Sequence, residues 1–565
     1  MKIALAQRNY IVGDFDHNIG LILEGIQQAR KDEADLVVFA ELAVCGYPPR
    51  DFLEFDDFMK KCDQAIQTIA RSCTDIAVIV GAPSENPGKR GKPLYNSVYF
   101  LAEKKVLGIA HKTLLPNYDV FDEYRYFEPN RLPYKLIEYQ GTRFALTICE
   151  DLWNTDEDPL YIRNPMDELI KLHPDVIINI AASPFHYLQP ASRRDVLSQN
   201  AKKYNLPLFN VNQVGGQTEL LFDGDSMVIA PDGTIVDELE LFEEETKVFD
   251  LKRIIIPDPG SRIPDKKESS NVSQIHYQES GIRHQESTPL IYSALIMGIR
   301  DYFHKMGFSK AILGLSGGID SAVTLVLATE ALGKQNIKAL LLPSQYSSQH
   351  SINDARDLAE KAGVSHDIIP IDDTFNVVEV TLDPFFQNLP FNLTEENIQA
   401  RVRAVILMAM ANKFGYILLN TSNKSEVAVG YGTIYGDMCG GISVLGDVYK
   451  TQVYELARYI NSKQEIIPGN TILKPPSAEL KPGQKDSDSL PDYEILDQIL
   501  NQYIEHRKGP EELIGMGFDK EIVKRVLRLV NSSEWKRNQS PPILRVSPKA
   551  FGMGRRMPIV ALYLG

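Results

Sequence analysis

The chain has 565 residues, of which 44% are hydrophobic and 24% charged, and its formal net charge at pH 7 is −15. This length predicts at least two domains, and the acidic balance argues against a nucleic-acid surface, which needs basic side chains. No apolar run approaches membrane-spanning length, and the N-terminal segment lacks the apolar core of a signal peptide. Five cysteines, an odd number, favour free thiols in a reducing compartment. We therefore predict a cytoplasmic protein without membrane or nucleic-acid partners.

Short β-rich runs recur through the first half of the chain, and helical patterns separate some of them. The predicted strands are residues 2–6, 36–39, 76–80, 97–101, 144–148, 176–180, 207–211 and 226–229. Helical periodicity covers residues 18–31 and 58–73. This mixture predicts an α/β domain in which two sheets form a sandwich flanked by helices.

Three side chains in this half could carry out chemistry together. Glu41 follows an apolar strand, Lys112 lies in a polar segment, and Cys149 stands where a strand passes into a helix. These groups suffice for amide hydrolysis through a thioester, with a carboxylate base, a thiol nucleophile and an ammonium that stabilises the oxyanion. A helix N-terminus and a nearby lysine would also favour the thiolate. Taken singly, each residue is more often structural.

The segments around these residues resemble a known family. Residues 39–49, 112–127 and 148–153 are similar to the three signature segments of the nitrilase superfamily, and most of all to its glutamine-amidase branch. The resemblance implies an α-β-β-α sandwich in which Glu41 is the base, Lys112 supports the oxyanion and Cys149 is the nucleophile.

The same resemblance implies a glutamine site at Tyr118 and Ser183, which match glutamine-binding positions of the family. The family usually has a lysine shortly after the string Ser-Pro-Phe-His, whereas this chain has Gln189 there. Gln189 can hydrogen-bond a substrate carboxylate but brings no charge.

A Pro-, Ser- and charge-rich segment follows Phe249 and has neither a helical nor a strand period. It predicts a linker. We assign residues 1–250 to the amidase domain, 251–286 to the linker and 287–565 to a second domain.

Strands and helices alternate in the second half. Predicted strands at residues 311–315, 338–342, 366–370 and 417–420 are separated by helical patterns, as in a doubly wound parallel sheet. In such sheets, ligands collect at the C-terminal strand ends.

The first of these strands leads into a Ser-Gly-Gly turn and a helix N-terminus, which together predict an anion site. Asp320 adds a carboxylate suited to Mg²⁺. No lysine follows the glycines, so the pattern is not Walker A, and an ordinary strand-to-helix turn is the structural alternative. The string 315–321 resembles the pyrophosphate-binding loop of the ATP pyrophosphatase superfamily, whose members cleave ATP to AMP and pyrophosphate in order to adenylate a substrate.

Six further segments resemble NAD synthetases and occur in the same order: residues 396–403, 420–426, 430–437, 449–454, 476–480 and 535–537. With the nitrilase-like first half, the resemblance to the glutamine-dependent NAD synthetase family covers essentially the full chain. It implies a Rossmann-like second domain, the substrates deamido-NAD, ATP and glutamine, the metal Mg²⁺, transfer of ammonia between the domains, and a homo-oligomer.

The resemblance also implies residue roles in the second domain. The implied ATP contacts are Gly314, Leu315, Ser316, Gly317, Gly318, Ile319, Asp320, Ser321, Thr421, Lys450 and Ser477. The implied deamido-NAD contacts are Asn397, Glu426 and Lys536, and the implied metal ligands are Asp320 and Glu426. Glu426 thus has two candidate roles that the sequence does not separate.

Two alternatives stay open at this point. The chain could be a nitrilase-type amidase fused to an adenylating ligase that acts on a different carboxylate. It could also be an amidase regulated by a non-catalytic nucleotide-sensing module, which predicts ATP binding without turnover.

Overall fold

The computed structural model describes residues 1–88, 90–155, 159–255, 284–387 and 389–563. The chain divides into two compact units, Met1–Ser280 and Gly281–Gly565. The predicted linker lies largely outside the described residues, which end at residue 255 and resume at residue 284. Its boundaries therefore stay a prediction.

The described part of the first unit contains two six-stranded sheets. Its strands are β1 (Lys2–Gln7), β2 (Leu36–Val38), β3 (Ala77–Glu85), β4 (Leu94–Ala102), β5 (Lys105–His111), β6 (Ile137–Tyr139), β7 (Thr142–Ile148), β8 (Val176–Ala181), β9 (Leu208–Asn212), β10 (Val214–Gln217), β11 (Leu220–Asp223), β12 (Met227–Ile229), β13 (Ile235–Glu238) and β14 (Glu245–Asp250). The strand orders are β14-β1-β2-β3-β4-β5 and β13-β12-β9-β8-β7-β6, and β10 pairs with β11 as a separate ribbon.

The two sheets bury their inner faces against each other, and helices cover the outer faces. The helices are α1 (Phe15–Lys31), α2 (Asp56–Ser72), α3 (Pro165–Leu169), α4 (Gln189–Tyr204) and α5 (Leu251–Ile255). Alternation along β7 separates the layers, because Phe144 joins the core between the sheets whereas Ala145 joins the core under α3 and α4. The predicted α-β-β-α sandwich is confirmed.

A five-stranded parallel sheet organises the second unit, in the order β17-β16-β15-β18-β19. Its strands are β15 (Ala311–Gly314), β16 (Ile337–Leu341), β17 (Ser365–Ile368), β18 (Ile417–Asn420) and β19 (Ile442–Ser443). Its helices are α6 (His284–Lys305), α7 (Ile319–Leu332), α8 (Gln349–Ala362), α9 (Asp372–Phe386), α10 (Leu393–Phe414), α11 (Lys424–Val429), α12 (Lys450–Ile460), α13 (Gly469–Leu473), α14 (Tyr493–Ile504), α15 (Pro510–Gly515), α16 (Lys520–Ser532) and α17 (Glu534–Arg537).

The order of these strands fixes where a ligand can bind. The chain runs outward from β15 to β16 and β17, then returns to the other side of β15 with β18. The crevice of a doubly wound sheet lies at such a reversal, beyond the C-terminal strand ends. The predicted doubly wound sheet is confirmed. No helix in the described ranges has the length and apolar character needed to cross a bilayer.

Candidate active sites

The first unit brings Glu41 and Lys112 into direct contact between its sheets. Glu41 lies three residues after β2, and Lys112 follows β5 directly. The Lys112 ammonium donates to Glu41 Oε1 at 2.7 Å, and both side chains are fully buried. Burial alone would lower the pKa of Lys112, but the carboxylates of Glu123 and Glu41 outweigh it and hold that pKa well above its ordinary value. The site therefore keeps a permanent cation.

Cys149 stands directly after β7, at φ 44°. Its backbone N–H donates to Asn179 Oδ1 on β8 at 3.0 Å, which secures this left-handed conformation. Burial raises the pKa of the Cys149 thiol well above its ordinary value, and the negative charge of Glu41 raises it further. The expectation that the position itself favours a thiolate is therefore wrong. The raised pKa favours the thiol form over the thiolate.

Asp151 joins the lysine segment to the cysteine turn, a role that we did not assign from the sequence. Its Oδ1 accepts from the backbone N–H groups of Thr113 and Leu114, both at 2.9 Å. Its Oδ2 accepts from the N–H of Ile148 at 3.1 Å. One buried carboxylate thus fixes Lys112 relative to Cys149.

Glu123 is a second buried carboxylate in contact with Lys112, and we did not assign it a role from the sequence. The Lys112 ammonium donates to Glu123 Oε1 at 2.8 Å, and the Tyr47 hydroxyl donates to the same oxygen at 2.9 Å. Burial raises the pKa of the Glu123 carboxyl to about 7, although Lys112 acts in the opposite direction. The residue lies within the segment 112–127, so its position in that motif was the available signal.

We expect Glu123→Gln to reduce glutamine turnover roughly ten- to a hundredfold, because Lys112 loses one of its two anionic partners and its position relaxes. The protonation of Glu123 also sets a pH dependence. Above a pKa of about 7 the carboxylate holds Lys112, and below it the proton weakens that contact. Glutamine kcat/KM measured from pH 6 to 8 should therefore fall towards low pH in the parent protein. A parent-like fall in the variant would contradict this assignment.

Gly81 on β3 lies against the backbone of Glu41. A Cβ at this position would come within 2.3 Å of Leu42 N and 2.7 Å of Ala40 O, so only glycine permits this approach. We expect Gly81→Ala to displace Glu41 and lower glutamine turnover by about a hundredfold. Gly20→Ala on α1 is the matched control, because a Cβ there meets nothing within 4 Å. Comparable losses in the two variants would refute the explanation.

The candidate glutamine residues form two contacts. Gln189 starts α4, and its Nε2 donates to Ser183 Oγ at 3.1 Å. Tyr118 donates from its hydroxyl to Glu150 Oε1 at 2.9 Å, in the turn that contains Cys149. Glu150 also accepts from the Tyr161 hydroxyl at 3.0 Å. Tyr118 is thus joined to the cysteine turn through Glu150, and Ser183 and Gln189 form a separate polar pair.

The Ser-Gly-Gly turn of the second unit runs from the end of β15 into α7. The hydroxyls of Ser316 and Ser321 lie 3.1 Å apart, and the Gly318 N–H donates to Ser316 Oγ at 3.2 Å. Gly317 has φ 79°, and a Cβ on it would meet the Ser351 carbonyl oxygen at 2.2 Å. The turn is therefore compact, and its geometry demands glycine at this position.

A cavity of 320 Å³ opens over this turn. Ten of the eleven candidate ATP residues line this cavity: Gly314, Leu315, Ser316, Gly318, Ile319, Asp320, Ser321, Thr421, Lys450 and Ser477. The eleventh, Gly317, packs against Ser351 instead. Arg403 also lines the cavity and was not proposed from the sequence. Its Nε donates to the Leu342 carbonyl at 2.9 Å.

Lys450 stands between the two candidate metal ligands. Its ammonium lies 2.5 Å from Asp320 Oδ2 and 3.4 Å from Glu426 Oε1. Burial raises the pKa of Glu426 to about 8 even with Lys450 beside it. Within the described ranges, no cluster of three or more His, Cys, Asp or Glu side chains is arranged to hold a metal ion. Asp320 and Glu426 thus lie on either side of the Lys450 ammonium, beside the Ser-Gly-Gly turn.

The other candidate deamido-NAD residues lie beside the cavity rather than on its wall. Asn397 Oδ1 accepts from the Thr433 hydroxyl at 2.7 Å. The Lys536 ammonium donates to the carbonyls of Gly430 and Gly432 at 2.9 and 3.0 Å. Both residues therefore contact the same loop, and Glu426 alone of the three candidates lines the cavity.

The first unit holds Glu41, Lys112 and Cys149 in a nitrilase-type sandwich. The second unit carries the Ser-Gly-Gly turn, a pyrophosphate-type turn, on a doubly wound sheet. This combination defines a class of two-domain carbon–nitrogen ligases. Family models agree: residues 2–254 match the carbon-nitrogen hydrolases and residues 291–540 match NAD synthase. The chain belongs to the glutamine-dependent NAD(+) synthetases. It is 43% identical to the enzyme of that name from Synechocystis sp., over 99% of each chain.

Two further relatives carry the same name. The one from Acinetobacter baylyi is 42% identical over 99% of this chain and 98% of its own length. The solved structure of the Acinetobacter baumannii enzyme in complex with ADP has a TM-score of 0.74 and 39% identity, over 99% of this chain and 98% of that one. Both the fold and the family inferred from the sequence are confirmed.

Proposed function

We propose that this chain amidates deamido-NAD to NAD with ATP and with ammonia released from glutamine, giving AMP, pyrophosphate and glutamate. The observation that carries the proposal is the buried contact of Lys112 with Glu41 near Cys149, in a chain whose second unit opens a cavity over a pyrophosphate-type turn. One polypeptide thus has groups for releasing nitrogen and groups for activating a carboxylate.

In the first half-reaction, Glu41 takes the proton of the Cys149 thiol as sulfur attacks the glutamine amide carbon. The Lys112 ammonium stabilises the oxyanion, and the proton on Glu41 passes to the departing ammonia. Water then attacks the thioester, with Glu41 again as base, and glutamate leaves. The raised pKa of the thiol supports this assignment, because a resting thiol needs the adjacent carboxylate. Tyr118, Ser183 and Gln189 are proposed to hold the amino-acid end of glutamine.

In the second half-reaction, the pyridine carboxylate attacks the α-phosphorus of ATP and pyrophosphate leaves. Ammonia then attacks the acyl carbon of the adenylate, AMP departs and one proton is lost. The backbone N–H groups and hydroxyls of the Ser316–Ser321 turn are proposed to hold the phosphates. Lys450 supplies positive charge beside them, and Asn397, Glu426 and Lys536 are proposed to contact deamido-NAD.

Asp320 and Glu426 are the proposed Mg²⁺ ligands. Two carboxylates on a cavity wall suit a hard cation, and a cation already stands between them as the Lys450 ammonium. The described residues offer no cluster of three or more His, Cys, Asp or Glu side chains arranged to hold the ion. When bound, Mg²⁺ neutralises phosphate charge.

We further propose that the protein works in the cytoplasm as a homo-oligomer. The cysteines support the first point, since all five are free thiols. Light scattering of the purified chain tests the second, and a monomer at micromolar concentration would contradict it.

Product analysis tests the function directly. Incubation with Mg-ATP, deamido-NAD and glutamine should yield NAD, AMP, pyrophosphate and glutamate in equal amounts. A panel of carboxylic acids, with pyrophosphate release as the readout, distinguishes this function from that of a ligase that adenylates a different carboxylate. Release that depends on another acid and not on deamido-NAD would reject the proposal, and ATP binding without any turnover would favour a nucleotide sensor.

A further inference from the structure

Asn96 on β4 is a buried amide in contact with the carboxylate base. Its side-chain Nδ2 donates to Glu41 Oε1 at 2.6 Å, and the residue is 0% exposed. Its backbone carbonyl accepts from the Lys112 N–H at 2.8 Å. One residue thus holds the base through its side chain and the lysine through its main chain.

The contacts of Glu41 distinguish its two oxygens. Oε1 accepts from both Asn96 and Lys112, at 2.6 and 2.7 Å. Oε2 accepts from the Ala182 backbone N–H at 2.9 Å. A carboxylate oxygen has two in-plane lone pairs, so two donors saturate Oε1, whereas one lone pair of Oε2 has no donor among the described residues.

The orientation of the Asn96 amide follows from the same contacts. If its oxygen faced Glu41, two acceptors would stand 2.6 Å apart, so the nitrogen must face the carboxylate. The Asn96 Oδ1 meets no protein donor in the described part of the chain, although the residue is fully buried. A buried acceptor without a partner is costly, which fits a residue kept for its donor.

We propose that Asn96 is a positioning residue that, with Lys112, fixes Glu41 through Oε1 and so leaves Oε2 as the oxygen that takes the Cys149 proton. The inference rests on the proposed glutamine hydrolysis and deepens it. The proton moves from sulfur to Glu41 Oε2 as the carbon–sulfur bond forms. It then passes from Oε2 to the amide nitrogen, which leaves as ammonia when the carbon–nitrogen bond breaks. An asparagine suits this place because it donates without adding a third anion, beside Glu41 and Glu123, that would compete for Lys112.

The test uses the full chain and three variants of Asn96. Asn96→Leu keeps a similar volume without a donor, Asn96→Asp keeps the shape but adds an anion, and Asn96→Ser keeps a shorter donor. We expect the first two to lower glutamine kcat roughly ten- to a hundredfold, as loss of a hydrogen bond to a charged group predicts. The KM for glutamine should stay unchanged, because the side-chain donor of Asn96 is used by Glu41. Asn96→Ser should recover part of the loss.

Two readouts separate positioning from packing. The rate at which iodoacetamide alkylates Cys149 should fall with kcat, since it depends on the base but not on glutamine. Ser97→Ala is the matched control, because Ser97 is an equally buried neighbour on β4 that bonds to Ser84 and His111 instead. It should keep both rates.

Several results would overturn the proposal. These are parent-like kcat and alkylation in Asn96→Leu, a raised KM with unchanged kcat, or equal losses in Ser97→Ala. A parent protein that alkylates at Cys149 but does not hydrolyse glutamine would instead reject the proposed function.

Discussion

We expect Cys149→Ala to lose glutamine-driven NAD formation by at least about 1000-fold while NAD formation from added ammonium continues. Alanine removes the sulfur that attacks the amide, and no other described group of the site can form the thioester, so little residual turnover remains. The fold should survive, because the backbone N–H of residue 149 keeps its bond to Asn179. The described residues that line the cavity over the Ser-Gly-Gly turn belong to the second unit.

The measurement is the rate of NAD formation from about 10 mM glutamine or from about 100 mM ammonium chloride. The ammonium concentration is high because most ammonia is protonated at neutral pH. Cys73→Ala is the matched control, since Cys73 is also a buried thiol of the first unit but bonds to the Ile69 carbonyl of α2. Equal loss with both nitrogen sources in Cys149→Ala would contradict the division of labour.

Buried strands were the most predictable part of the fold. All eight strands expected in the first half exist, because strands such as β2 and β8 are buried on both faces and read as continuous apolar runs. The missed strands include β5 and β14, which lie at the two edges of one sheet and are only half-buried. An edge strand mixes polar and apolar side chains, so its pattern resembles a loop.

Helix α4 was missed for a different reason. Its buried face includes Arg193, which pairs with Asp223 at 2.8 Å and with Asp225 at 3.0 Å. A buried ion pair places charge where periodicity analysis expects an apolar residue, so the helical pattern disappears from the sequence. Only the folded partners explain why the arginine is inside.

The candidate site residues also differ in whether the local sequence or only the folded partners reveal their roles. Glu41, Lys112 and Cys149 could be named because each carries reactive chemistry inside a recognisable segment. Glu123 lies in the same segment as Lys112 and could have been named from that position. The role of Asn96 could not be predicted, since it depends on which side chain the residue faces after folding. The expectation of a thiolate was wrong for a physical reason. Cys149 begins a four-residue 3-10 turn rather than a long helix, and burial, followed by the carboxylate of Glu41, raises the pKa of its thiol.

Asp320→Ala should remove NAD formation from glutamine and from ammonium alike, while Cys149 remains reactive. Asp320 is held by the Lys450 ammonium at 2.5 Å and by Asn423 Nδ2 at 2.9 Å, at the N-terminus of α7 beside the phosphate turn. Its loss leaves Lys450 with Glu426 as its remaining carboxylate and removes one of two carboxylates proposed for Mg²⁺. Charge stabilisation at a transferring phosphoryl group contributes several kcal/mol, so we expect a fall of at least about 1000-fold.

Pyrophosphate release and Cys149 alkylation, measured on the same sample, check this expectation. Asp367→Asn is the matched control, because Asp367 pairs with Lys338 at 2.8 Å on the outer strand β17 and does not line the cavity. It should retain full synthesis. The two nitrogen sources separate the proposed roles: Cys149 is proposed to serve only the supply of ammonia, whereas Asp320 is proposed to serve the adenylation step, which both sources require. Synthesis that persists in Asp320→Ala with ammonium would remove Asp320 from that step, whatever happens with glutamine.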